Sequence, residues 1–262
     1  MLQPSRLQAF LQYESVVARS LIRIAAAGDI HYSDKITPES AEAFEQLEGD
    51  ADLLLLAGDL TTLGEPDQAA ALADVLSGLS LPILAVLGNH DWHANKADEI
   101  VEILTHAGVS VLDPGWKIVD VHGIDVGIVG TKGFIGGFPD SQLPDFGEPL
   151  LRQVYAETTA EVSALEEGLQ SVQDCSIRVV LLHYAPTTTT LIGEPPVIWA
   201  FLGSDRMAAP IAAHRPELVL HGHGHRGTFE GSIGEVPVFN VAVSAMGRNF
   251  AIFLLDGTRD DD

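Results

Sequence analysis

The chain has 262 residues, 46% of them hydrophobic, enough to bury the core of one sizeable domain, and 1–262 is read as a single unit. Its 14 Lys and Arg face 37 Asp and Glu, a formal net charge of −23 that repels polyanions and argues against a large nucleic-acid footprint. A lone cysteine, Cys175, excludes an internal disulfide and fits a reducing cytoplasm.

The N-terminal stretch "MLQPSRLQAFLQYESVVARS" lacks a signal peptide's apolar core, and no run of about 18 apolar residues follows, so the sequence reads as soluble and cytoplasmic with no membrane partner. Three near-continuous apolar runs come next: "LIRIAAAGD" (Leu21 to Asp29), "LLLLAGD" (Leu53 to Asp59) and "ILAVLGNHD" (Ile83 to Asp91). They predict strands covered on both faces. Asp29, Asp59 and Asn89 recur at intervals of 30 residues, the length of a βαβ unit, so the three strand ends are expected on one sheet edge. Helical patterns fall near Pro38 to Glu48, Asp67 to Ser77, Asn95 to His106 and within Glu148 to Gln170. "KIVDVHGIDVGIVG" predicts a hairpin turning at His122-Gly123, and "IRVVLLH", "ELVLHG", "VPVFNVAV" and "FAIFLLD" predict later strands in a mixed or antiparallel sheet. There is no internal repeat beyond the βα spacing and no low-complexity linker.

The strand ends carry, in order, Asp29-x-His31, Gly58-Asp59, Gly88-Asn89-His90-Asp91, His183 and Gly222-His223-x-His225. Asp29 and His31 are two apart, as are His223 and His225, so an extended backbone turns each pair towards one pocket. This series resembles the calcineurin-like metallophosphoesterase superfamily, whose five blocks D-x-H, G-D, G-N-H-[DE], H and G-H-x-H are all present in order. In motif style "GDLTTLGEP" is similar to bacterial class III cyclic-nucleotide phosphodiesterases.

The resemblance implies a four-layer α/β/β/α sandwich with mixed sheets. It also implies dinuclear metal-dependent hydrolysis of a small phosphate mono- or diester by a metal-bridging hydroxide. Asp59 would bridge two ions, with Asp29, His31 and His225 completing one site and Asn89, His183 and His223 the other. His90 would assist the leaving group, and Asp91 would orient His90 and fix its tautomer. Imidazole, carboxylate and amide donors without thiolate suit divalent or mixed-valence Mn, Fe, Zn, Co or Ni. The other reading is a non-enzymatic scaffold on the same fold; such proteins typically lose ligands, whereas this chain keeps seven and His90.

His221 shares the parity of His223 and His225, but the Gly-His-x-His register leaves it inside the strand, as a packed or outer-layer histidine rather than a ligand. Lys132, in the glycine-rich "TKGFIGGFPD", and Arg226, beside His225, are candidate phosphate contacts. Residues 184–206, long and rich in proline and apolar side chains, suggest a lid or a partner surface. Two departures narrow the class. "GDLTTLG" lacks the arginine that protein phosphatases carry after the bridging Asp, and Thr62 stands where purple acid phosphatases place a tyrosine ligand.

Overall fold

The computed structural model describes residues 21–33 and 38–258, so the N-terminal stretch weighed above for targeting lies outside the described residues. The first strands are β1 (Leu21–Ala27), β2 (Leu53–Ala57), β3 (Ile83–Val86), β4 (Val109–Val111), β5 (Gly115–Val121) and β6 (Ile124–Thr131). They are followed by β7 (Ile177–Leu182), β8 (Leu218–His221), β9 (Glu230–Ile233), β10 (Val236–Asn240) and β11 (Ala251–Asp256). One sheet has the order β11-β1-β2-β3-β4, parallel except for β11, and the other has the order β5-β6-β7-β8-β10-β9, parallel inside with antiparallel β5 and β9 at its edges. Both sheets are therefore mixed.

Helices α1 (Pro38–Glu45), α2 (Pro66–Leu76), α3 (Ala97–His106), α4 (Pro149–Ser171), α5 (Trp199–Leu202), α6 (Ala208–His214) and α7 (Val243–Met246) connect or flank the strands. Pro66 and Pro149 open α2 and α4, where a fixed φ suits the first turn and no amide hydrogen is missed. Alternation along the strands sorts the apolar side chains into layers. Leu54 and Leu56 of β2 face Phe44, Leu72, Ile100 and Leu104 of the first three helices. Leu53 and Leu55 point the other way and meet Ile128, Val179, Leu181 and Leu220 of the second sheet. Val180, Leu182 and Val219 on that sheet's far side lie under Leu165 and Leu169 of α4 and Ile211 of α6. The architecture is the four-layer α/β/β/α sandwich, and each fully buried Leu, Ile or Val adds roughly 1.5–3 kcal/mol of transfer free energy. Among the described residues no helix is long and apolar enough to cross a membrane.

Residues 184–206 form short 3-10 turns and α5 over a small cluster of Phe138, Ala185, Leu191 and Leu202. Their backbone is tied down where Gly137 donates to the Gly203 carbonyl at 2.9 Å and Ser204 donates to Ala185 at 3.1 Å.

Candidate metal centre

The C-terminal ends of β1, β2 and β3 from one sheet meet those of β7 and β8 from the other, and their connections carry the cluster. Two overlapping groups form: Asp29, His31, Asp59 and His225, and Asp29, Asp59, His183 and His223, the ligating atoms of each lying within 4.8 Å of one another. Asn89 joins the second through its Oδ1, 2.9 Å from His183 Nε2. The seven side chains named from the motif are thus together, with Asp29 in reach of both groups.

Asp59 is 1% exposed and its two oxygens face different ways. Its Oδ1 lies 3.3 Å from His183 Nε2, while its Oδ2 lies 3.9 Å from His31 Nε2. Asp29 is likewise divided: Oδ1 is 2.8 Å from His225 Nε2, and Oδ2 accepts the His223 amide at 2.8 Å. Burial pushes the Asp29 carboxyl up, but the hydrogen bond from His225 and the neighbouring imidazoles outweigh it and hold it below the usual carboxylate range. Burial also drives His223 down to about 3, so it is neutral and in the form a metal accepts. His225 is raised by its hydrogen bond to Asp29. His183 Nδ1 lies 2.9 Å from the Ala57 carbonyl, which accepts a hydrogen bond from Nδ1–H and so leaves the Nε2 lone pair free for a metal. His223 Nε2, 3.2 Å from the Phe201 carbonyl, assigns the opposite tautomer there. This donor set of carboxylate, imidazole and amide oxygens and nitrogens, with a carboxylate divided between two groups, fits a pair of divalent cations.

The backbone reaches this arrangement differently from the extended alternation expected above. Asp29, His31, Asp59 and His223 have φ of 54°, 44°, 49° and 67°, all left-handed. Each strand end curls back on itself, and the side chains converge through that curl, not through strand parity. Neighbouring glycines leave room: a Cβ at Gly88 would overlap the Asp59 carboxylate, and one at Gly222 would overlap that of Asp29.

His90 stands beside the cluster, its side chain 41% exposed, with Nε2 3.9 Å from Asp59 Oδ2. Its Nδ1 lies 2.8 Å from the Thr62 carbonyl. This corrects the role expected of Asp91. Asp91 is fully buried and its carboxylate accepts the amides of Leu60, Thr61 and Gly88 and the Thr61 hydroxyl, at 2.7 to 3.1 Å. With four donors satisfied, it ties the β2 and β3 loops together, and Thr62 orients the imidazole. A backbone carbonyl has no signature in sequence. Thr62 also donates its hydroxyl to the His31 carbonyl at 2.6 Å.

Lys132, the first of the two candidate phosphate contacts, lines a cavity beside Asn89. It is 7% exposed, donates to the Gly133 carbonyl at 3.0 Å and lies 3.3 Å from Glu161 Oε1, so its charge is already matched. Burial raises Glu161 despite Lys132, while the Gly133 amide and the Thr131 hydroxyl donate to it. Arg226 is exposed and makes no ion pair among the described residues; its amide donates to Glu194 at 2.6 Å. His221 is fully buried, with Nε2 2.7 Å from the Thr190 hydroxyl and Nδ1 2.7 Å from the Gly222 carbonyl. Desolvation takes it down to about 4.

Comparisons with known proteins give the family and the fold. The family profile described as calcineurin-like phosphoesterase matches residues 22–227. A protein of Synechococcus sp. described as a probable cyclic nucleotide phosphodiesterase is 28% identical over 199 residues, covering 74% of this chain and 66% of that one, just under two thirds. Phosphopantetheinyl hydrolase from Mycobacterium tuberculosis superposes with a TM-score of 0.62 at 15% identity, over 86% of this chain and 90% of that one. A protein of Thermus thermophilus superposes with a TM-score of 0.57 at 19% identity, over 91% of this chain and all of that one. At these identities the two structures speak for the fold alone.

Proposed function

The chain belongs to the calcineurin-like phosphoesterase family, and from that premise we propose that it is a metal-dependent hydrolase of small phosphate mono- or diesters, built as one domain. The observation that carries this reading is the Asp59 carboxylate, with one oxygen towards His183 and the other towards His31. In this reading Asp29, His31, Asp59 and His225 hold one cation, and Asp59, Asn89, His183 and His223 hold a second. Bound there, two cations supply an activated water nucleophile and neutralise charge on the phosphoryl oxygens. The ligand chemistry suits Mn, Fe, Zn, Co or Ni.

His90 is the proton carrier. The Thr62 carbonyl holds a proton on Nδ1 in either charge state, so the second, mobile proton resides on Nε2, the atom that faces the cluster. An imidazolium there hands it to the departing oxygen. Asp91 serves as a positioning residue that fixes the loops bearing Asp59 and His90. The net charge of −23 leaves small esters, rather than long nucleic acid, as the substrates able to approach.

The test is reconstitution with each metal, elemental analysis, and turnover of mono- and diester model compounds, cyclic nucleotides and duplex DNA. About two ions per chain and turnover of small esters are expected. One ion or none, or duplex DNA as the preferred substrate, overturns the reading.

A further inference from the structure

Beside the cluster lies a cavity of about 240 Å³ lined by Asn89, Trp92, Lys132, Phe134, Glu157 and Tyr184. We propose that it is a subsite for a planar, uncharged aromatic ring carried by the phosphoester, an inference that rests on the phosphoesterase reading and gives it a substrate class.

Position is the first argument. Asn89 is a wall of the cavity and also the partner of His183 Nε2 at 2.9 Å. The Tyr184 ring packs 4.5 Å from the His223 ring and 5.4 Å from that of His183. A group seated in the cavity is therefore one short linkage from a phosphoryl group at the cluster.

The lining is the second. Three of the six residues are aromatic, and Trp92, two residues after His90, keeps 43% of its surface open. Phe134 and Tyr184 meet edge to face at 5.9 Å and 70°. Lys132 sets its ammonium 4.4 Å from the Phe134 ring centre and 5.8 Å from that of Tyr184, while Glu161 and the Gly133 carbonyl fix its position. Phe134, Tyr184 and Lys132 are thus held against one another before any ligand arrives, which lowers the entropic cost of stacking on that side of the cavity.

Charge and size complete the case. The Lys132 charge is matched by Glu161, and the only other charged group in the lining is the exposed Glu157, so the cavity does not attract a second anion. A volume of about 240 Å³ is below the range of about 300–1,000 Å³ typical of drug-sized ligands, so it admits one ring system rather than a chain.

Phosphonates share the anionic head and cannot be hydrolysed, so their affinities isolate the organic group. Titration of the Mn(II)-loaded protein with methyl-, phenyl-, cyclohexyl- and carboxymethylphosphonate, followed by calorimetry and by tryptophan fluorescence, tests the idea. Phenylphosphonate is expected to bind about tenfold or more tightly than methylphosphonate, as one aromatic stack allows. It should also bind more tightly than the non-planar cyclohexyl or the charged carboxymethyl compound. Trp92→Ala and Phe134→Ala should each shrink the phenyl preference to about threefold or less, and Trp92→Phe should keep most of it. Equal binding of all four compounds, or a preference that survives both alanine variants, overturns the subsite alone. Hydrolysis is scored separately on the same loaded protein: absent turnover of every ester overturns the phosphoesterase reading, while the affinity ratios still judge the pocket.

Discussion

Asp29, His31, Asp59 and His223 occupy left-handed backbone that costs a non-glycine residue of order 1 kcal/mol or more, so packing and the hydrogen bonds around them must over-determine the conformation. Asp91 supplies part of that constraint. Asp91→Asn turns an amide donor towards the Leu60, Thr61 or Gly88 amide, and unfolding by urea should show a loss of about 2–4 kcal/mol with reduced activity. An unchanged midpoint would remove Asp91 from its tethering role. His90→Ala should instead leave the metal content intact and slow turnover by about 10² to 10⁴, most on alkyl esters and least on activated aryl esters that depart without a proton. Equal loss on both would make His90 an electrostatic stabiliser. At this scale the clustered residues were legible through the five motif blocks of the family resemblance, which carry carboxylate, amide and imidazole side chains at strand ends. The left-handed turns and the Thr62 carbonyl were not legible, since backbone torsion and backbone acceptors leave no mark on residue identity.

Long, strongly patterned elements were equally legible: β1, β2, the β5-β6 hairpin and α4 all lie within two residues of where periodicity put them. The three-residue β4 and the four-residue β9 escaped, because pairing with a neighbour and not local pattern creates them, and the seven-residue helix α6 is too short to show a helical period. One tie between elements is titratable. Asp52, just before β2, accepts from the Arg23 amide and side chain in β1, and His122 Nε2 in the β5-β6 turn lies 3.2 Å from its Oδ1, so it joins the two sheets at the edge opposite the cluster. Burial pushes Asp52 up, but these partners hold it down to about 2. A folded value below the unfolded one of about 3.9 means the tie stabilises above about pH 4 and is lost as the pH falls through 2. Asp52→Asn should therefore cost about 1–2 kcal/mol at pH 6, and roughly half of that difference should be gone at pH 3 in parallel urea titrations. A gap that does not narrow would assign the effect to packing.

Across the whole molecule, the cluster takes Asp29, Asp59 and Asn89 from one sheet and His183 and His223 from the other, and the Asp29 to His225 contact spans 196 residues of sequence. Cations bound there would join two layers that otherwise meet mainly through apolar side chains, so they stabilise the folded state by mass action. Contacts so distant in sequence carry a high loop-closure cost and are expected to close late, after the rate-limiting step of folding. Chelation should then speed unfolding while leaving the refolding rate within about twofold, measured by stopped-flow with and without metal. A refolding rate that falls in step with stability would place the cluster in the folding nucleus. On the ribosome the same separation has a temporal meaning. A nascent chain from which residue 183 has not yet emerged holds Asp29, His31, Asp59 and Asn89 but none of the closing histidines at 183, 223 and 225, so metal captured there would report that the two sheets have found each other.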